Sequence, residues 1–160
     1  MIIYHGSTDT IPQPLAKAGR PDLDFGQGFY TTDMLEQAQL WADRMHRQRH
    51  EQAVVNVYEF DRQKAMREYR YLQFTDYDIE WLDFIAANRT GNPLWQEYDC
   101  IEGGIANDRV IDTVESYIAG TIDAEHALAE LSKHKPNNQI CFISQHLIDD
   151  CLKYKETQIC

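Results

Sequence analysis

Three short stretches of this 160-residue chain hold residue types that can do chemistry. Near the N-terminus, Tyr4-His5-Gly6-Ser7 sets an imidazole beside a glycine. Histidine works as acid, base or hydrogen-bonding group near neutral pH, and glycine lets a ligand come close to the backbone. Next, Asp24-Phe25-Gly26-Gln27-Gly28-Phe29-Tyr30-Thr31-Thr32-Asp33-Met34 places two glycines before an aromatic pair, and Trp41 follows Tyr30 by eleven residues. Two aromatic faces can hold a flat cation between them, each contributing about 0.5–2 kcal/mol. Last, Asn137-Asn138-Gln139-Ile140-Cys141-Phe142 is a polar loop entering an apolar strand. Each stretch also has a structural alternative. The histidine can be a core residue, the two glycines a β-bulge over a core tyrosine, and Trp41 ordinary core on a face with Met34, Ala38 and Met45. The glycine pair lacks the third glycine of a dinucleotide-binding turn.

Taken in order, these stretches resemble the histidine–tyrosine–glutamate ADP-ribosyltransferases, the group of diphtheria-type toxins and poly(ADP-ribose) polymerases. The resemblance implies that His5 binds the ribose of NAD⁺, with Gly6 fixing the nicotinamide amide through its backbone and Ser7 reaching the ribose or diphosphate. Gly26-Gln27-Gly28-Phe29-Tyr30 and Asp33-Met34 match the polymerase-like version closely. By that match Gly28 lets the backbone approach, Tyr30 lies under the nicotinamide ring and Trp41 covers its other face. The chain is also similar to a group of small bacterial proteins that share Tyr98-Asp99, the Gly103 to Asp108 segment and a terminal Asn-Gln strand. Two positions depart from the polymerase pattern. Ala38 stands where a serine bonds the nicotinamide amide, which removes one hydrogen bond of about 0.5–1.5 kcal/mol. Gln139 stands where the family has its catalytic glutamate. Glutamine can bond a ribose hydroxyl, but it can neither offset a developing cation nor act as general base. Glu102 and Asp108 are the substitute acids nearest a site, although Asn107 and Asp108 also read as a helix cap.

The elements that must position these residues follow from periodicity and capping. A strand runs through 1–7, and the Pro- and Gly-broken segment 8–24 is a loop. A strand or turn occupies 25–32. Asp33 with Glu36 reads as a capping box opening the Trp41 helix, which the basic run Arg44 to His50 closes. Strands are expected at 53–60, 68–74, 98–102, 139–144 and 152–159. A buried helix is expected at 77–88. Another, capped by Asn107 or Asp108, ends at Gly120, and a third runs from Asp123 to Leu131. Lys133 to Asn138 is a polar loop that the resemblance turns toward the acceptor. Strands and helices do not alternate regularly, so the class is α+β. With the resemblance, this becomes an ADP-ribosyltransferase-like split β-sandwich with flanking helices, one domain over 1–160.

Composition narrows the function classes. Hydrophobic residues are 43% and charged residues 26%, inside the globular range. The net charge of −11 opposes binding to phosphate backbones, so a protein acceptor is favoured over nucleic acid. No apolar run reaches the roughly 20 residues of a membrane helix. Met1 to His5 reads as a strand rather than a leader, which makes the cytoplasm the expected compartment. The four cysteines (Cys100, Cys141, Cys151 and Cys160) have no metal-site spacing, so no metal is expected. The expected activity is mono-ADP-ribosyl transfer from NAD⁺ as co-substrate to an unknown acceptor, with His5, Tyr30 and Gln139 as the catalytic set. A bacterial toxin or defence effector with a cognate antitoxin fits that activity by analogy. An NAD⁺ glycohydrolase and a non-catalytic NAD⁺ or ADP-ribose module are the alternatives.

Overall fold

The computed structural model describes residues 1–21, 23–107 and 110–160. In chain order the elements are β1 (Ile2–Ser7), β2 (Phe29–Thr31), α1 (Leu35–Arg49), β3 (Val54–Phe60), α2 (Arg62–Glu68), β4 (Tyr71–Gln73), α3 (Ile79–Arg89), β5 (Cys100–Gly103), α4 (Ile111–Ile118), α5 (Ala124–Leu131), β6 (Gln139–Phe142), α6 (Gln145–Cys151) and β7 (Leu152–Ile159). Short 3₁₀ turns lie at Ala16–Ala18 and Leu94–Glu97. The strands form two sheets, β1-β3-β7 and β2-β6-β5-β4, in which only the β4/β5 pair is parallel. The chain is therefore α+β, with two sheets and six α-helices among the described residues.

The sheets meet face to face. Ile3, Tyr58 and Phe60 of the first pack with Phe29, Cys100, Ile140 and Phe142 of the second. The other face of the second sheet, carrying Ile101 and Cys141, packs on Trp81, Leu82 and Ile85 of α3, Val114 of α4 and Leu131 of α5. This explains why all four residues of β6 are buried: a strand covered on both faces reads as a continuous apolar run. α1 lies on the outside of the first sheet, with Ala38 against Val55 and Val57.

Several element starts differ from the sequence expectation. The cap of α1 is Met34, not Asp33, and no Asp33–Glu36 capping box forms. Thr32 is held in an isolated bridge with Tyr4, so the chain stays extended past it, and the Thr32 hydroxyl accepts from the Met34 amide at 3.0 Å. The cap of α4 is Val110, with no side-chain bond. Asn107 takes part there through its carbonyl, which accepts from the amides of Val110 and Ile111, while Asp108 lies outside the described residues. Helices α2 and α6 add to the elements expected from the sequence. Each is only seven residues long, too short to show a period, and each is opened by a side-chain cap, Asp61 and Ser144. Ser144 thus ends the expected 139–144 strand early. The cap at Asp123, the stop at Gly120 and the strand over 152–159 are as expected, and the helix expected at 77–88 is capped by Asp78.

Candidate functional site

β1 and β2 touch through the Tyr4–Thr32 bridge, whose two main-chain bonds are 2.7 and 2.9 Å long. One residue further along β1, a side chain takes over from the ladder: His5 Nδ1 lies 2.6 Å from the carbonyl oxygen of Tyr30. A carbonyl can only accept, so Nδ1 carries the proton and donates. Burial also lowers the His5 pKa, outweighing the opposite pull of that bond. The ring is therefore neutral at pH 7, and its Nε2 presents a bare lone pair. The ring lies 4.5 Å, centroid to centroid, from Phe29. His5, Gly28, Phe29 and Tyr30 share a cavity of about 350 Å³ with residues of the loop that follows β1. That volume suits a nicotinamide-sized group with part of its ribose.

Tyr30 does not offer a reactive hydroxyl. Its hydroxyl donates to the Gly26 carbonyl at 2.6 Å and accepts from the Phe25 amide at 3.1 Å. Burial, then the neighbouring Cys141, pushes its pKa far above the usual tyrosine value. Gly26 supports this turn with φ +79°, and its Cα faces the Trp95 ring.

Gly6, Ser7 and Trp41 do not line that cavity. Gly6 is needed by α1: a Cβ there would lie 1.9 Å from the Ala38 carbonyl oxygen and 2.8 Å from the Ala42 nitrogen. The same contact accounts for Ala38, which is fully buried where the polymerase pattern has serine. Ser7 is buried, and its hydroxyl accepts from the Asp9 amide at 3.1 Å, closing the turn after β1. Trp41 is half-buried on α1 and makes no ring contact with Tyr30.

Gln139 opens β6 opposite Gly103, one position beyond the Thr31–Ile140 pair. It thus falls beside Thr32, on the rung that Thr32 shares with Tyr4, and strand alternation turns it to the Tyr30 and Cys141 face. Around it, the Thr32 hydroxyl and the Gln37 amide group both donate to the Asn138 carbonyl. Gln139 is only 5% exposed, and its Oε1 has no hydrogen-bond partner among the described residues. An orphaned buried amide oxygen costs about 1–3 kcal/mol.

Glu102 does not supply the missing carboxylate. Its Oε2 accepts from Arg62 Nε at 2.9 Å and Nη2 at 2.8 Å and from the Tyr71 hydroxyl, and Asn138 Nδ2 lies 3.5 Å from Oε1. It also faces away from Gln139, into a larger cleft of about 1120 Å³ shared with Asp33, Asp149 and Asp150. A carboxylate bound on this many sides is not available as a base. Tyr98-Asp99 and the Gly103 to Asn107 segment do framework work. Asp99 binds the Arg70 amide and guanidinium, and Gly104 packs against Tyr77 while its carbonyl accepts from Trp81 Nε1 at 2.6 Å.

Sequence reasoning missed the buried Asp24. Its carboxylate accepts from Arg89 Nε at 2.7 Å and from the Ala106 amide at 2.8 Å, tying the start of the glycine turn to α3 and to the segment after β5. The acid immediately precedes Phe25-Gly26, but its partners are far away in sequence, so no local pattern exposes it. The four cysteines are unpaired, and burial raises the pKa of Cys100 and Cys141, leaving both as inert thiols. Among the described residues no cluster of three or more His, Cys, Asp or Glu is placed to hold a metal, and no helix is long and apolar enough to cross a membrane.

One family model, described as Protein of unknown function (DUF3990), matches residues 1–154. No curated protein and no solved structure matches the chain.

Proposed function

We propose that this chain, which belongs to the DUF3990 family by a match over residues 1–154, is an ADP-ribosyltransferase-type protein that cleaves the nicotinamide–ribose bond of NAD⁺ and transfers ADP-ribose to an acceptor. The observation that carries this reading is the convergence of His5, Gly28 and Tyr30 on one cavity. These are residues that the sequence resemblance assigns to NAD⁺, and they arrive from two strands and a glycine turn.

Each residue has a defined task in this reading. The neutral His5 accepts a hydrogen bond at Nε2 from a ribose hydroxyl, because Nδ1 is committed to Tyr30. Tyr30 offers its ring to the nicotinamide, a flat cation until the bond breaks. As the C–N bond lengthens, its electron pair leaves with nicotinamide and the ribose carbon becomes cationic. The acceptor then attacks that carbon and loses a proton. Gln139 does not line the His5 cavity, but its Oε1, without a partner among the described residues, is the group this reading assigns to a ribose hydroxyl to hold the sugar through this step. Trp41 is the second nicotinamide face if the ring swings toward Tyr30 on binding.

No carboxylate lines the His5 cavity among the described residues, and Glu102 is fully engaged. This favours a nucleophilic acceptor over chain building, which needs a base to activate a hydroxyl. The same observation supports the second reading, an NAD⁺ or ADP-ribose binding module without turnover. The role of a cytoplasmic toxin or defence effector held by an antitoxin is the biological setting proposed for the catalytic reading.

Incubating the protein with NAD⁺ labelled in its ADP-ribose half, with and without cell extract, tests all of these. Free nicotinamide with labelled macromolecules is the expected result. Free ADP-ribose alone would mean hydrolysis. Binding by calorimetry with no nicotinamide over hours would select the module, and no binding at all would overturn the proposal.

A further inference from the structure

The loop after β1 supplies Ile11, Gln13, Leu15, Ala18 and Gly19, more than half of the cavity lining. A loop this rich in Pro and Gly would ordinarily be mobile. Here three side-chain amides grip it, each on two backbone groups two residues apart. Asn56 Oδ1 accepts from the Ile11 amide at 2.9 Å while its Nδ2 donates to the Asp9 carbonyl at 2.9 Å. Gln145 Oε1 accepts from the Ala16 amide at 3.0 Å while its Nε2 donates to the Pro14 carbonyl at 3.0 Å. Gln27 Nε2 donates to the carbonyls of both Lys17 and Gly19 at 2.9 Å. A planar amide matches a backbone pair in this way, much as a neighbouring strand would.

The three grips come from different parts of the fold, and two of them adjoin residues that line the cavity. Asn56 is the ladder partner of His5, is fully buried, and takes a further bond from Thr157 at 2.8 Å. Tyr58, two residues on, donates to the Ile11 carbonyl at 2.7 Å. Gln145 opens α6. Gln27 is the middle residue of Gly26-Gln27-Gly28, and Gly28 itself lines the cavity. Gly19 packs directly on it: a Cβ at Gly19 would lie 2.4 Å from the Gly28 carbonyl oxygen.

We propose that the Asp9–Gly19 loop is a fixed, preformed wall of the cavity rather than a lid, and that Gln27, Gln145 and Asn56 are positioning residues that set where this wall stands. The inference rests on the reading of the cavity as the NAD⁺ site for its functional consequence, but the fixed wall itself does not need NAD⁺. It gives the middle residue of the glycine turn a task, since the two hydrogens on one amide nitrogen hold both carbonyls. A fixed wall means the cavity has its binding shape before the ligand arrives, so ordering the loop costs no affinity at that moment.

Hydrogen exchange on the ligand-free protein, with Gln27→Glu and Gln145→Glu compared to wild type, tests this. Both variants keep the side-chain length, but neither can donate to a carbonyl. The wild-type amides of Ile11 and Ala16 should be protected. Gln27→Glu should speed exchange across residues 16–19 about tenfold or more, and Gln145→Glu should do so across 14–16. The KM for NAD⁺ should rise about tenfold in Gln27→Glu while kcat for nicotinamide release stays within about twofold. Exchange in the wild-type loop as fast as in an unstructured peptide overturns the proposal. So does a Gln27→Glu protein with unchanged exchange, or one with faster exchange and an unchanged KM. If Gln27→Glu does not fold, Gln145→Glu on the α6 side carries the same comparison. Wild type that shows the protected loop but binds no NAD⁺ would sink the NAD⁺ reading and leave the fixed wall standing.

Discussion

Replacing Gln139 by Met should make the free protein more stable and the working protein worse. The side chain has no hydrogen bond to any described residue, and its Oε1 is buried without a partner. Removing that oxygen recovers its desolvation cost, about 1–3 kcal/mol. Methionine keeps the unbranched length and leaves no large void. For a chain of this size each kcal/mol moves Tm by about 2–4 °C, so a rise of roughly 2–12 °C is expected. The same change removes the group assigned to a ribose hydroxyl. Nicotinamide release should then fall about tenfold, equivalent to about 1.4 kcal/mol. The two effects are read separately by thermal unfolding without ligand and by release at saturating NAD⁺. A third reading links them: NAD⁺ at 100 times its Kd should stabilise wild type by about 2.7 kcal/mol and the variant by less. A variant with a lower Tm and unchanged release would refute the reasoning, because Gln139 would then be a satisfied structural residue.

Gln139→Glu places negative charge beside a ribose carbon that becomes cationic, so nicotinamide release should hold or rise and shift toward hydrolysis; a fall of tenfold or more counts against that placement. Trp41→Ala should weaken NAD⁺ binding about tenfold, and NAD⁺ should quench tryptophan fluorescence in wild type, whereas an unchanged Kd removes Trp41 from the site. Gly6→Ala drives a methyl into the α1 backbone at 1.9 Å and should cost at least about 2 kcal/mol, a Tm loss of roughly 4–8 °C; a Tm unchanged from wild type would mean α1 can withdraw freely. Burial lowers the His5 pKa in the folded state. Its stabilising contribution is therefore complete above the unfolded value of about 6.5 and is lost as pH falls from there toward the lower folded value. Wild-type Tm should drop below pH 6.5 more steeply than that of His5→Gln, and parallel curves would contradict the assignment.

Much of the frame was legible because it rests on local chemistry. The capping residue Asp123 marks its helix with a single side chain three positions ahead of an amide. The β-branched run of β3 and the left-handed Gly120 after α4 needed no partner to be recognised. Asp33 and Glu36 failed for an instructive reason. Their spacing suits a capping box, but a bridge between Thr32 and Tyr4, residues far apart in sequence, held the chain extended past the expected start. Short helices α2 and α6 left no periodic trace over seven residues.

The residues of the candidate cavity that come from β1, the glycine turn and β2 could be singled out in the sequence, because His5, Gly28 and Tyr30 stand in a recognisable order. Their roles could not, because a role depends on which atoms remain free after folding. Only the tertiary structure decided that Gly6 serves the packing of α1, that His5 offers an acceptor rather than a donor, and that Glu102 is bound by Arg62 and Tyr71. It also decided that three amides from β3, the glycine turn and α6 hold one loop in place. Those bonds join residues up to 131 positions apart. Sequence spacing reports neighbours along the chain, whereas hydrogen-bond satisfaction is settled by neighbours in space.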